Sequence, residues 1–128
     1  MILLLDTHLL LRAGYAPEKL SASLQTEIAD DRNSLLFSAA SIWEVAIKAT
    51  LGRSDFTADA RVLRRALIEN GYTELPITGT HAAAVADLPP LHRDPFDRLL
   101  VAQARVEGVQ LLTVDQQVAG YGQPVRLC

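Results

Sequence analysis

The chain has 128 residues, 49% of them hydrophobic and 21% charged, with a formal net charge of −3 at pH 7. This length predicts one domain (1–128) with a buried core, and the composition is ordinary for a globular protein. The longest uncharged run, 12 residues over 75–86, is too short for a transmembrane helix, and no strongly basic patch indicates a nucleic-acid surface.

The hydrophobic pattern predicts strands that alternate with helices along the chain. Residues 2–5 form a continuous apolar run, as expected for a strand buried on both faces. Further strands are predicted at 35–37, 73–75, 110–114 and 125–127. Helices are predicted at 7–12, 18–30, 39–51, 59–70, 80–87 and 95–107, with one turn at 115–119 and loops at 14–17 and 89–90. This order predicts an α/β fold, with helices on both faces of a mostly parallel sheet of four to five short strands.

Four acidic residues occupy positions that such a sheet brings to one edge. Asp6 and Asp115 directly follow the first and fourth predicted strands, and ligands bind beyond the carboxyl ends of strands in open parallel sheets. Glu44 lies in the first two turns of the helix that leaves the second strand. Asp97 begins the helix that leads back into the fourth strand. All four are therefore expected near the same edge.

Side-chain directions support this placement for two of the acids. Ser41, Glu44 and Lys48, at i, i+3 and i+7, form a narrow polar stripe on an otherwise apolar helix. Asp97 shares its helix face with apolar residues, so its carboxylate is expected to point inward, where an unpaired charge is costly. We therefore expect Asp97 to be part of a site.

Each acid also has an ordinary structural interpretation. Asp6 and Asp115 could cap the helices that follow them, Glu44 could belong to a surface ion pair, and Asp97 could complete a cap begun by Asp94. These separate roles do not explain a shared edge. Two carboxylates about 4 Å apart repel by ~4 kcal/mol at an effective dielectric near 20, so some of them should titrate high without a cation. Hard oxygen ligands suit Mg²⁺ or Mn²⁺.

Charge and cysteine content fit a metal-dependent protein of the cytoplasm. Apart from the four acids, 11 acidic residues face 12 basic ones, so the candidate site accounts for the net negative charge. The single cysteine, Cys128, excludes an internal disulfide and fits a reducing compartment. The apolar opening stops at Asp6, which is too short for a signal peptide.

Four segments together resemble the PIN domain, and in particular the VapC-type toxins of bacterial toxin–antitoxin pairs. They are LLDTHLL at 4–10, SIWEVAIK at 41–48, HRDPFDRLLVAQA at 92–104 and LLTVD at 111–115. The resemblance implies an α/β/α domain with a Mg²⁺- or Mn²⁺-dependent endoribonuclease site, holding one or two ions, for single-stranded RNA. It also implies a small antitoxin protein whose tail covers the site, and frequent dimerisation.

The acids of that family correspond to Asp6, Glu44, Asp97 and Asp115. We expect Asp6 and Asp97 to be the principal metal ligands. Glu44 and Asp115 are expected to bind a second ion or to act through a coordinated water. Asp94 is typical of this subgroup and is expected to cap its helix and to touch the site.

Five residues near the acids are candidates for supporting roles. Thr7, Ser41 and Thr113 could orient the acids or their waters, although helix capping is an alternative for each. Lys48 and Arg98 could contact RNA phosphate or pair with nearby carboxylates.

Two other functions fit parts of the sequence. A phosphatase that forms an aspartyl phosphate could use Asp6, but the second acid that haloacid dehalogenases carry two residues later is His8 here. A metal-binding regulatory or scaffold domain could keep the same fold without activity.

His8, His81 and His92 show no spacing typical of a metal site, so no catalytic role is assigned to them. Trp43 is expected to pack or to form an interface.

Overall fold

A parallel sheet of five strands forms the centre of the computed structural model, which describes residues 1–54 and 57–128. The strands are β1 (Ile2–Leu5), β2 (Ser34–Ser38), β3 (Thr73–Leu75), β4 (Gln110–Thr113) and β5 (Val125–Leu127). Their order across the sheet is β3-β2-β1-β4-β5, and every neighbouring pair is parallel. The predicted sheet is therefore confirmed, with β1 at its centre.

Helices cover both faces of this sheet. In the described residues they are α1 (Thr7–Tyr15), α2 (Ala22–Ala29), α3 (Ala39–Thr50), α4 (Ala60–Glu69), α5 (Gly79–Ala84), α6 (Pro95–Glu107) and α7 (Gln116–Ala119). Because alternate strand residues face opposite layers, Leu3 and Leu5 pack among α1, α2 and α4, whereas Leu4 packs against α6. The predicted three-layer α/β/α fold is confirmed. No helix in the described ranges has the length and apolar character needed to cross a bilayer.

The loop predicted at 14–17 is helical at its start. Helix α1 continues through Gly14 to Tyr15, because packing between α1 and α4 outweighs the low helix propensity of glycine. A Cβ atom at Gly14 would lie 3.5 Å from Cδ1 of Leu63 on α4, an ordinary contact distance, so the two helices lie close together there.

The helix predicted at 18–30 is two separate elements. A 3₁₀ turn at Pro17–Lys19 comes first, and α2 begins only after Ser21. The hydroxyl of Ser21 accepts the N–H of Leu24 at 3.2 Å, so Ser21 is an N-cap with extended backbone that interrupts the helix.

The helix predicted at 80–87 is also shorter than expected. Helix α5 ends at Ala84, and a 3₁₀ turn at Val85–Asp87 follows it, closed by the N–H of Leu88 on the carbonyl of Val85. Pro89 and Pro90 follow Leu88, and proline has no N–H group with which to continue a helical hydrogen-bond pattern.

The topology also locates the crevice in which such sheets bind ligands. The chain places β2 and β3 on one side of β1 and then returns to place β4 and β5 on the other. In open α/β sheets, ligands bind outside the carboxyl ends of the strands where the winding reverses. Here that position lies between the ends of β1 and β4.

Candidate active site

Asp6 lies at this position and is only 3% exposed. Its backbone N–H donates to the carbonyl of Leu112 at 3.0 Å, which extends the pairing of β1 with β4 by one residue. Oδ1 accepts the N–H of Leu9 at 2.9 Å and caps α1. Oδ2 accepts the hydroxyl of Thr113 at 2.5 Å. Asp6 is therefore a helix cap and at the same time an acid of the sheet edge.

Thr113 connects Asp6 with Asp115. Its buried hydroxyl, at the end of β4, donates to Asp6 and accepts the N–H of Asp115 at 3.0 Å. Asp115 caps α7, since its Oδ1 accepts the N–H of Gln117 at 2.8 Å. One hydroxyl thus positions the acids that follow two neighbouring strands.

Glu44 lies on the buried face of α3 and is 1% exposed. Oε1 accepts the hydroxyl of Thr7 at 2.6 Å, and Oε2 accepts the ammonium of Lys48 at 2.5 Å. The hydroxyl of Ser41 lies 2.9 Å from that of Thr7. The polar stripe predicted on this helix is therefore a buried hydrogen-bonded cluster. The interpretation of Glu44 as part of a surface ion pair is wrong, because both partners are largely shielded from water.

Asp97 lies in the first turn of α6, with its side chain 17% exposed. The N-cap of this helix is Asp94, as predicted, and its Oδ1 accepts the N–H groups of Phe96 and Asp97. Nζ of Lys48 lies 3.8 Å from Oδ2 of Asp94, so the lysine lies between the acids of α3 and α6. Oδ2 of Asp97 lies 3.4 Å from Nε2 of His92.

The electrostatics of Asp97 show that the acids converge. Burial, and to a smaller extent the negative charges of four carboxylates, together raise the pKa of Asp97 to about 8; the four belong to Asp94, Glu44, Asp6 and Asp115. Charges act in this way only when they are near, so the predicted acids share one edge of the sheet. Burial also raises the pKa of Asp6, although the hydrogen bond from Thr113 lowers it. High titration of part of the cluster was the expected result of crowding carboxylates.

The donor chemistry of this edge fits a hard divalent cation. Asp6 is buried and Asp97 is partly buried, and neither forms an ion pair with a lysine or arginine in residues 1–54 and 57–128. The same described ranges contain no group of three or more acidic, histidine or cysteine side chains with the spacing of a formed metal site. Mg²⁺ commonly keeps several waters and uses one or two carboxylates with substrate phosphate oxygens, so an open site with few protein ligands suits it.

Arg98 has a structural role that the sequence did not predict. Its guanidinium donates to the carbonyl of Pro89 and to the hydroxyl of Tyr121, both at 2.9 Å, and more weakly to the carbonyls of Val85 and Leu88. Pairing with a carboxylate was one of its predicted roles, and no such pair occurs in the part of the chain that the structure describes. Arg98 instead holds the loop before α6.

Trp43 and His92 each contact a residue in the first turn of α6. Trp43 is half exposed, and its ring meets the ring of Phe96 edge-on, with centroids 4.8 Å apart. His92 lies beside Asp97, although sequence analysis assigned it no role. A usable signal existed, because a residue two positions before the N-cap of α6 must lie near the edge that holds Asp97.

Comparisons with known proteins agree with this fold. The PIN domain family model matches residues 3–122, and no curated protein matches the chain. One similar solved structure is VapBC2 from Rickettsia felis bound to a DNA fragment from their promoter; the matched chain is 14% identical with a TM-score of 0.71, covering 100% of this chain and 98% of that one.

Two further solved structures are similar. A toxin–antitoxin complex from Klebsiella pneumoniae contains a chain that is 18% identical with a TM-score of 0.65, covering 96% of this chain and 94% of that one. VapBC-1 from nontypeable Haemophilus influenzae contains a chain that is 14% identical with a TM-score of 0.67, and the match covers 100% of this chain and 97% of that one. At these identities the likeness shows a common fold. The family match over nearly the whole length shows that this chain belongs to the PIN-domain family.

Proposed function

We propose that this protein is a Mg²⁺- or Mn²⁺-dependent endoribonuclease that hydrolyses phosphodiester bonds of single-stranded RNA. The observation that carries the proposal is the convergence of carboxylates on Asp97, whose pKa is raised to about 8. Crowded buried charge of one sign destabilises a fold, and it is typical of functional sites where a ligand offsets it. The choice of RNA over DNA comes from the resemblance to VapC-type toxins.

Asp6 and Asp97 are the proposed principal ligands, for one or two ions. When bound, a divalent cation supplies charge neutralisation at the phosphate and lowers the pKa of water. Glu44 is already paired with Lys48, so we assign it, with Asp115, to a second ion or to the orientation of water. Thr113 holds one oxygen of Asp6 and leaves the remaining lone pairs for a ligand.

Lys48 is proposed to reduce the repulsion that an incoming phosphate would meet. Its ammonium contacts Glu44 at 2.5 Å and lies 3.8 Å from Asp94. Positive charge is therefore fixed among the acids without occupying Asp6 or Asp97. This differs from the predicted direct contact with RNA, which stays a prediction.

The test is cleavage of a fluorescently labelled single-stranded RNA by the purified chain. We expect EDTA to abolish cleavage and Mg²⁺ or Mn²⁺ to restore it. Asp97→Asn should lower the rate by more than about 100-fold, since even outer-shell partners of a metal cost 10–100-fold. Asp31→Asn is the matched control, because this exposed acid precedes β2 at the opposite end of the strands. Full activity of Asp97→Asn, with the fold intact by circular dichroism, would reject the assignment.

A small antitoxin protein is the proposed partner, and a homodimer the proposed assembly. The similar solved structures include complexes described as VapBC or toxin–antitoxin complexes. Co-purification with the product of a neighbouring reading frame, and inhibition of cleavage by it, would test this.

A scaffold domain without activity is the second candidate. The observation that favours it is the lack of a preformed group of three metal-ligating side chains in residues 1–54 and 57–128. Such a protein would bind a partner and leave RNA intact in the presence of Mn²⁺. The cleavage assay therefore separates the two functions.

Location in the cytoplasm stays a prediction from the single cysteine.

A further inference from the structure

The side chain of His92 belongs to a hydrogen-bonded chain that ends at the proposed site. That side chain is 7% exposed. Nδ1 lies 2.8 Å from the hydroxyl of Tyr121, and Nε2 lies 3.4 Å from Oδ2 of Asp97. The hydroxyl of Tyr121 is in turn 2.9 Å from a guanidinium nitrogen of Arg98. Three side chains thus connect α6 with the segment after α7 and end at Asp97.

The chemistry of these groups favours one direction for the hydrogen bonds. A guanidinium has donors only, so the oxygen of Tyr121 accepts from Arg98. The phenolic proton is then available to Nδ1 of His92. A neutral ring whose Nδ1 accepts carries its proton on Nε2, which faces the carboxylate of Asp97.

This arrangement leaves Asp97 with one oriented donor. In the described part of the chain, His92 is the only side chain within hydrogen-bonding distance of the Asp97 carboxylate. The contact holds Oδ2 and leaves Oδ1 for a ligand. Outer-shell donors of this kind fix the orientation of a metal-binding carboxylate, and their loss typically weakens metal binding.

Arg98 makes the position of His92 rigid. Besides Tyr121, it binds carbonyls of the segment that leads to His92, including those of Leu88 and Pro89. The loop before His92 and the hydroxyl that contacts its ring are therefore held by the same guanidinium, and the ring can turn away from Asp97 only if its contact with Tyr121 breaks.

We propose that His92 is a positioning residue, which orients the Asp97 carboxylate for a divalent cation through the Tyr121–His92–Asp97 chain. The inference depends on the proposed function, because it assumes that Asp97 binds the cation. It adds to the four acids a residue that acts through Asp97 and not through contact with the substrate.

The experiment is the affinity of the full chain for Mn²⁺, measured by isothermal titration calorimetry without RNA. His92→Leu removes the donor and should raise the Kd about 10- to 100-fold. Tyr121→Phe keeps the ring but removes the hydroxyl, and should raise the Kd by a smaller factor. His92→Gln retains an N–H donor and should recover part of the affinity. Tyr72→Phe is the matched control, since it removes a buried hydroxyl without a hydrogen-bond partner in the described residues, and should leave the Kd unchanged.

Thermal unfolding in EDTA distinguishes positioning from stability. A purely structural role would lower the melting temperature of His92→Leu but leave the Kd of its folded fraction unchanged, and that result would overturn the inference. If His92→Leu does not fold, an unchanged Kd in Tyr121→Phe would overturn it equally. If the wild-type chain binds no Mn²⁺, the proposed function fails as well. Normal binding by wild type and by both variants would refute only the role of His92.

Discussion

Glu44 and Asp97 lie at the same edge of the sheet, but the protein compensates their charges in different ways. Both oxygens of Glu44 accept short hydrogen bonds, one from Thr7 and one from the ammonium of Lys48. Asp97 has only the long contact with His92 in the described residues, and four like charges surround it. The charge of Glu44 is thus compensated by a neighbouring ammonium, whereas that of Asp97 has no lysine or arginine partner in residues 1–54 and 57–128.

The largest effect on stability is expected when the ion pair between Glu44 and Lys48 is removed. Lys48→Met should lower the free energy of unfolding by about 3–5 kcal/mol, because it leaves a buried carboxylate without its counter-charge. Urea unfolding at pH 7 measures this. The control is Arg64→Met, which breaks an ion pair with Glu74 whose side chains are 50% and 30% exposed and should cost under about 1 kcal/mol. Equal losses in the two variants would contradict a buried, structural Glu44–Lys48 pair.

Removal of the charge of Asp97 should instead stabilise the protein. In EDTA at pH 7, Asp97→Asn is expected to raise the free energy of unfolding by up to ~4 kcal/mol, because each pKa unit corresponds to about 1.4 kcal/mol. The folded-state pKa of about 8 lies above the unfolded value of 3.8, so the wild type loses stability as pH rises from about 4 to 8. Asp97→Asn should show a flatter profile over that window, with Asp31→Asn as the control that follows the wild type. A stability gap independent of pH would contradict this explanation.

A smaller effect is expected when Mn²⁺ is added to the wild type. At a free concentration 100 times its Kd, a ligand that binds only the folded state stabilises by about 2.7 kcal/mol. The melting temperature of the wild type should therefore rise with Mn²⁺, while that of Asp97→Asn should hardly change. Comparable shifts in both proteins would mean that the ion binds elsewhere.

The sequence was sufficient for the fold and for the meeting of the acids. Parallel strands and their helices have a fixed direction, so Asp6 and Asp115 had to lie at one edge of the sheet, and Asp97 had to begin a helix at the same edge. That β1 and β4 are neighbours is seen only in the structure. Which of the acids bind metal stays a prediction.

The hydrogen-bond partners of loop residues could not be predicted, although the nearness of His92 to the start of α6 could. The place of His92 is set by Arg98 and Tyr121, and the ring of Tyr121 lies 29 residues further along the chain. Helix propensity also failed where tertiary packing outweighed it, as at Gly14, or where a local cap interrupted the helix, as at Ser21. Periodicity carries no information on these choices.

The hydrogen bond from Thr113 to Asp6 joins residues that are 107 positions apart in the chain. The proposed site can therefore form only late in synthesis. A ribosome that has translated only as far as α6 has made Asp6, Glu44 and Asp97, but neither Thr113 nor Asp115. The nascent polypeptide then lacks β4, and with it the strand that fixes Asp6. The site that we propose can therefore form only in chains translated beyond Asp115, and a nuclease built in this way would stay inactive until its synthesis is nearly complete.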